Sequence, residues 1–203
     1  MIQELFVPDW PPEFACSTTV PLDRSPTAHT EAGRLVALHA LGRVAGAVVD
    51  LPPRTGRRPA WPDGFVGSIA HDDAMAIAVA ARVEATSAVG IDVELHDALS
   101  PSDASLVMRD DELDFVGADP TLATLLWSAK ESAYKAWCNG LDVELDRVDP
   151  RDIHIGRLDA SRLVARAVGD LAPRVATIGP LQVRWGRMGE LVITLAWRAK
   201  VRC

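Results

Sequence analysis

The sequence predicts an α+β protein of two similar halves, and three observations carry that reading. A helical run followed by strand-like runs occurs twice, near residues 30–95 and 121–197. An acidic, turn-rich stretch at 96–119 separates the two occurrences, dividing the chain into residues 1–100 and 101–203. Hydrophobic residues at 48% and charged residues at 24% of 203 suit a globular chain with a sizeable core.

The first helix is expected over 30–49, "TEAGRLVALHALGRVAGAVV", stopped by the prolines Pro52 and Pro53. A Pro/Gly-rich loop at 52–64 carries Arg54, Arg57 and Arg58. "FVGSIAH" (65–71), "AMAIAVAARV" (74–83) and "SAVGIDVEL" (87–95) read as strands, and the connector 96–119 has room for one short helix. Asp119 and Pro120 form a cap and first-turn pair opening a helix over 121–138. Strands are expected at 152–156, 162–168, 181–186 and 190–197.

No apolar run approaches the ~20 residues that span a bilayer. The N-terminal "MIQELFVPDWPPEF" places acids and prolines where a signal peptide has a basic start and an apolar centre. A cytoplasmic monomer without a membrane partner is expected. Cys16, Cys138 and Cys203 are scattered, which fits reduced thiols and neither a disulfide framework nor a structural zinc site. The net charge of −7 is uneven: residues 1–146 hold 10 Lys/Arg against 23 Asp/Glu, and residues 147–203 hold 11 against 5. The basic segment either steers an acidic partner or is plain solvated surface. Its cations come singly, without interleaved aromatics, so nucleic acid is not expected.

Two stretches can carry chemistry. In "LLWSAKESAYKAW" (125–137), Leu122, Leu126, Ala129, Ala133, Ala136 and Trp137 form one apolar stripe. Glu131 and Lys135 lie four apart on another face, flanked by Lys130. They are either a surface pair worth about 0.2–0.5 kcal/mol or half of an active site. In "VGIDVEL" (89–95), Val89, Ile91 and Val93 share one strand face, while Gly90, Asp92 and Glu94 share the other. Two acids about 6.6–7 Å apart on a buried face repel unless a cation sits between them, and hard oxygen donors suit Mg²⁺. The alternative is an exposed strand face. His71 closes a strand-like run, and with Asp72 forms a doublet of the kind found in metal phosphohydrolases. There is no phosphate-binding glycine loop and no nucleophile elbow.

Together, "GIDVE" and the later "WSAKESAYK" resemble the paired signature of Sfp-type 4'-phosphopantetheinyl transferases. "RRPAWPDGFVGSIAH" (57–71) resembles that family's upstream block, in particular the branch serving siderophore synthases (enterobactin synthase component D-like). The resemblance implies two similar α+β halves in a pseudo-twofold arrangement, with coenzyme A between them. It implies transfer of phosphopantetheine from coenzyme A to a serine of an acyl or peptidyl carrier protein, releasing adenosine 3',5'-bisphosphate. By the same match, Asp92, Glu94 and Glu131 hold Mg²⁺, and Lys135 contacts the phosphates. His71 lies beside the pyrophosphate, and Arg58 and Arg34 hold the nucleotide's phosphates. Glu131 is also the expected base. Ala70 stands where the family often has serine, which removes one hydroxyl contact. Two other readings stay open: a metal-dependent phosphohydrolase using His71 and Asp72, and a non-catalytic carrier-binding module.

Overall fold

The computed structural model describes residues 2–5, 10–21, 23–52 and 59–199. Two antiparallel sheets form the centre. The first has strand order β1-β2-β4-β3, from β1 (Gln3–Glu4), β2 (Ala15–Thr19), β3 (Phe65–His71) and β4 (Ala76–Arg82). The second has order β5-β9-β8-β7-β6, from β5 (Thr86–Leu95), β6 (Ile153–Arg157), β7 (Arg162–Ala167), β8 (Leu181–Met188) and β9 (Leu191–Ala199).

Side-chain alternation stacks these sheets into four layers. Ala76, Ala78 and Ala80 of β4 face helix α1 (Pro26–Ala45) through Ala32, Val36, Ala37, Ala40 and Leu41. Ile77, Val79 and Ala81 turn the other way, onto Val89, Ile91 and Val93 of β5 and Ile193, Leu195 and Trp197 of β9. On the far side, Val192 and Ala196 of β9 meet helix α4 (Pro120–Leu141) through Ala129, Ala133, Ala136 and Trp137. The order is therefore helix, sheet, sheet, helix, and the α+β expectation stands. β5 lies ahead of residue 100 yet pairs with β9, from Thr86 opposite Ala199 to Leu95 opposite Leu191. The division between the sheets thus falls a strand ahead of the expected boundary between the halves.

Helix α1 starts four residues before its expected start. Ser25 caps it by accepting from the Ala28 N–H at 3.1 Å, and Pro26 takes the first turn. It ends at Gly46, whose φ of 71° is the left-handed stop, so the apolar residues beyond it are not helical and Val48 is fully exposed. β2 went unanticipated because "ACSTT" lacks alternation, yet all five residues are buried, with Ser17 Oγ 2.8 Å from His39 Nδ1. The acidic connector folds into two short helices, α2 (Pro101–Val107) and α3 (Asp110–Val116). Asp119 does cap α4, accepting from the N–H groups of Thr121 and Leu122. A 3-10 turn at Pro150–Asp152 and a short helix, α5 (Leu171–Arg174), complete the helices among the described residues. Cys16 and Cys138 are buried.

Candidate active site

Gly90 determines how closely α4 can lie on β5. A Cβ there would stand 2.0 Å from the Ser132 carbonyl oxygen and 2.6 Å from the Ala136 nitrogen, so only glycine admits the helix backbone at this distance. Gly90, Asp92 and Glu94 share a strand face, and the Gly90 contact shows that this face meets α4. The two acids are therefore not on an exposed strand face, and Asp92 is 5% exposed.

Asp92 is buried and held at both oxygens. Lys135 Nζ donates to Oδ1 at 2.7 Å, and Ser128 Oγ donates to Oδ2 at 2.8 Å. Ser128 is itself fixed from β9. Thr194, the pairing partner of Asp92, donates from its hydroxyl to the Ser128 carbonyl at 2.8 Å, with the two hydroxyls 2.9 Å apart. The expected Glu131–Lys135 pair is thus rearranged: the ammonium bonds across to β5 and reaches Glu131 only through its field.

The electrostatics follow from three carboxylates around one ammonium. Burial, then the charge of Asp92, push Glu94 up to about 7, with Glu131 adding to the rise and Trp127 and Lys135 opposing it. Burial also raises Glu131, with Lys135 opposing and Asp92 reinforcing. Burial alone would lower Lys135, but Asp92, Glu131 and Glu94 override it and hold the ammonium charged.

These shifts set a pH dependence. Glu94 rises from 4.5 to about 7, so the folded state holds this proton more tightly than the unfolded chain. Its stabilising contribution is full below the unfolded value and is lost as pH climbs through the folded one. Glu131 acts in the same direction. The thermal midpoint of metal-free protein should fall between about pH 4.5 and about pH 7, and Glu94→Gln should flatten that fall. A wild-type midpoint constant over this window would contradict the shift.

Among the described residues, no three such side chains converge on a point ready to hold an ion. Asp92, Glu94 and Glu131 are close enough to perturb one another but do not form a finished cage, because Lys135 and Ser128 occupy Asp92. The donor set nevertheless fits a hard divalent cation in kind: all oxygen, with more negative charge than Lys135 offsets.

His71, at the end of β3, lies within the field of Lys135. Partial burial lowers its pKa first, followed by the positive charges of His29 and Lys135. The His71 and His29 rings stand 5.1 Å apart. Both line a cavity of about 170 Å³ with Arg34, Gly33, Leu51 and Ile69. The Arg34 guanidinium is partly committed, donating to the Leu51 carbonyl at 2.5 Å and the Pro52 carbonyl at 3.3 Å. Lys135 lines the adjoining cavity of about 240 Å³, which shares Pro59 and Ile69 with the first. Arg58, like Arg54 and Arg57, lies outside the described residues. Ala70 packs into the core between the sheets.

Asp72 Oδ1 accepts from the N–H groups of Ala74 and Met75 at 2.9 and 2.7 Å, closing the β3–β4 turn. The His71–Asp72 doublet is thus accounted for by a turn, and the phosphohydrolase reading loses its support. Sequence reasoning also left Ser128 and Lys130 without roles, although both lie inside the motif. Lys130 is buried and donates to Glu112 Oε2 at 2.7 Å and to the carbonyls of Pro150 and Ile153 at 3.1 and 2.6 Å. Thr194, His29 and Asn139 carry no local signal at all.

Comparison with known proteins gives the same direction. Residues 30–81 match the 4'-phosphopantetheinyl transferase N-terminal domain, and residues 88–196 match the 4'-phosphopantetheinyl transferase superfamily. The chain is 32% identical over 171 residues to enterobactin synthase component D of Salmonella austin, covering 81% of this chain and 68% of that protein. It is 33% identical over 124 residues to the 4'-phosphopantetheinyl transferase Svp of Streptomyces mobaraensis, covering 57% and 50%. The holo-[acyl-carrier-protein] synthase of Thermotoga maritima superposes with a TM-score of 0.47 at 16% identity, over 58% of this chain and 66% of that one. The superfamily match begins within β5 and ends within β9, so it takes in both carboxylates of β5, the Glu131 helix and most of the sheet that joins them. Spanning more than half of the chain, and joined by a relative above 30% identity over most of its length, it shows that this chain belongs to the 4'-phosphopantetheinyl transferase superfamily.

Proposed function

We propose that the chain carries the 4'-phosphopantetheine arm of coenzyme A to a serine of an apo acyl or peptidyl carrier protein, in the cytoplasm and as a monomer. The observation that carries the reading is the gathering of Asp92, Glu94, Glu131 and Lys135 between β5 and α4, with His71 within the same field.

The serine oxygen forms a bond to the β-phosphorus, the bond from that phosphorus to the bridging oxygen breaks, and adenosine 3',5'-bisphosphate leaves. Glu131 accepts the serine proton. Its raised pKa brings a carboxylate closer to the operating pH, where general bases work best. Lys135, held cationic by its carboxylate neighbours, offsets charge on the leaving phosphate. Ser128 and Thr194 keep Asp92 in one orientation. Asp92, Glu94 and Glu131 would hold Mg²⁺, which when bound offsets the pyrophosphate charge. His71 and Arg34 would grip the coenzyme's phosphates from the N-terminal half, a role the family match also implies for Arg58, and the site would then lie between residues 1–100 and 101–203. The basic balance of residues 147–203 supports an acidic carrier as partner.

The test is incubation with coenzyme A, Mg²⁺ and an apo carrier protein, followed by weighing of the carrier. A gain of one phosphopantetheine is expected, and a carrier of unchanged mass would overturn the reading. His71→Ala should raise KM for coenzyme A by at least about tenfold with a smaller effect on kcat, as for one lost charge-assisted hydrogen bond. Steady-state kinetics checks this, and an unchanged KM would move the pyrophosphate away from His71.

A further inference from the structure

Among the described residues, β3 is an edge strand of the first sheet and β5 an edge strand of the second. Edge strands present carbonyl groups without ladder partners. One side chain serves both edges. The Asn139 amide nitrogen donates to the Gly67 carbonyl of β3 at 2.9 Å and to the Val89 carbonyl of β5 at 2.8 Å. Both partners are acceptors, so the side chain must present its nitrogen, and it uses both of its N–H groups.

Asn139 also lies on a meaningful line. Glu131, Lys135 and Asn139 follow one another at four-residue spacing along α4, one stripe of the helix. Asn139 and Lys135 line the same cavity, and Asn139 alone of the stripe reaches the larger neighbouring cavity of about 630 Å³. Rotation of α4, or separation of the sheet edges, would break the Asn139 bonds and at once change the distance between His71 on β3 and the Asp92–Lys135 pair on β5 and α4.

We propose that Asn139 is a positioning residue, a pin that fixes both the gap between the sheet edges and the rotational setting of α4, so that Lys135 and His71 meet one pyrophosphate together. This rests on the transfer reading above. Asn139 touches no reacting atom, and its effect is confined to ligands that must be gripped from both sides.

The test compares wild type, Asn139→Ala and Asn139→Ser, the last of which keeps one donor. Steady-state kinetics is read alongside calorimetric affinities for coenzyme A and for adenosine 3',5'-bisphosphate. In Asn139→Ala, kcat/KM and coenzyme A affinity should fall about tenfold or more, while the bisphosphate, which carries only one of the two phosphates gripped across the gap, should lose no more than about threefold. Asn139→Ser should lie between. Unchanged coenzyme A affinity and kcat/KM in folded Asn139→Ala overturns the inference and leaves the transfer reading intact. Equal losses for both ligands, or failure of both variants to fold, marks a purely structural role and also overturns it. Wild-type protein that binds no coenzyme A overturns the transfer reading, and the inference with it.

Discussion

Glu131→Gln should turn over carrier protein roughly 10²–10⁴ times more slowly than wild type, because the substitution keeps the size and one oxygen acceptor but removes the proton acceptor. Added Mg²⁺ should not restore the rate if Glu131 is the base. If it serves only as a metal ligand, excess Mg²⁺ should recover much of the loss. Stability should change little, and in the favourable direction near neutral pH, since burial and Asp92 already disfavour the charge at this position. Single-turnover assays across a Mg²⁺ titration, with a thermal melt of the same sample, separate these outcomes. Near-wild-type turnover in a folded Glu131→Gln protein would remove the carboxylate from the mechanism.

Lys130→Met should produce the largest loss of stability. Lys130 and Glu112 are 1% and 2% exposed, and the ammonium also serves the carbonyls of Pro150 and Ile153. Methionine leaves Glu112 buried with only the N–H groups of Arg109 and Ile155 to stabilise it. Removing one partner of a buried pair costs about 3–5 kcal/mol, a large share of the ~5–15 kcal/mol that holds a typical domain together. A melting point lower by roughly 6–20 °C should accompany it. Replacing both, as Lys130→Met with Glu112→Leu, should recover much of the loss, since apolar isosteres avoid the stranded charge. A wild-type melting point for Lys130→Met would show that the pair contributes nothing.

The elements that build the site were legible because each follows from local physics. The apolar stripe of α4, its Asp119 cap and the period-two pattern of β5 need only neighbouring residues, and their expected bounds lie within three residues of those observed. The grouping of Asp92, Glu94, Glu131 and Lys135 came from motif resemblance, and the structure brings these four within one another's field. What stayed hidden depends on distant partners. Lys135 prefers Asp92 on another element to Glu131 one turn away, because a buried carboxylate across the interface offers a direct bond at 2.7 Å. Glu112 sits in a run of acids that reads as solvated, and only the arrival of Lys130 from α4 makes its burial tolerable. Asn139, near a helix C-terminus, reads as an ordinary end residue until two sheet edges are placed beside it.

The pairing of β5 with β9 also governs when the site can exist during synthesis. β2, β3 and β4 can assemble with α1 once the chain has passed Arg82, but β5 must wait until β9 has been made before its ladder can close. Throughout that interval an apolar strand carrying Val89, Ile91 and Val93 is in the hands of the ribosome's surroundings, the kind of segment that recruits other chains. Asp92 and Glu94 interrupt it with two negative charges, and charges within such a strand discourage intermolecular pairing. The two carboxylates proposed for the site would on this view act first as guards against aggregation, so replacing both with neutral residues should lower the yield of folded chain as well as any activity.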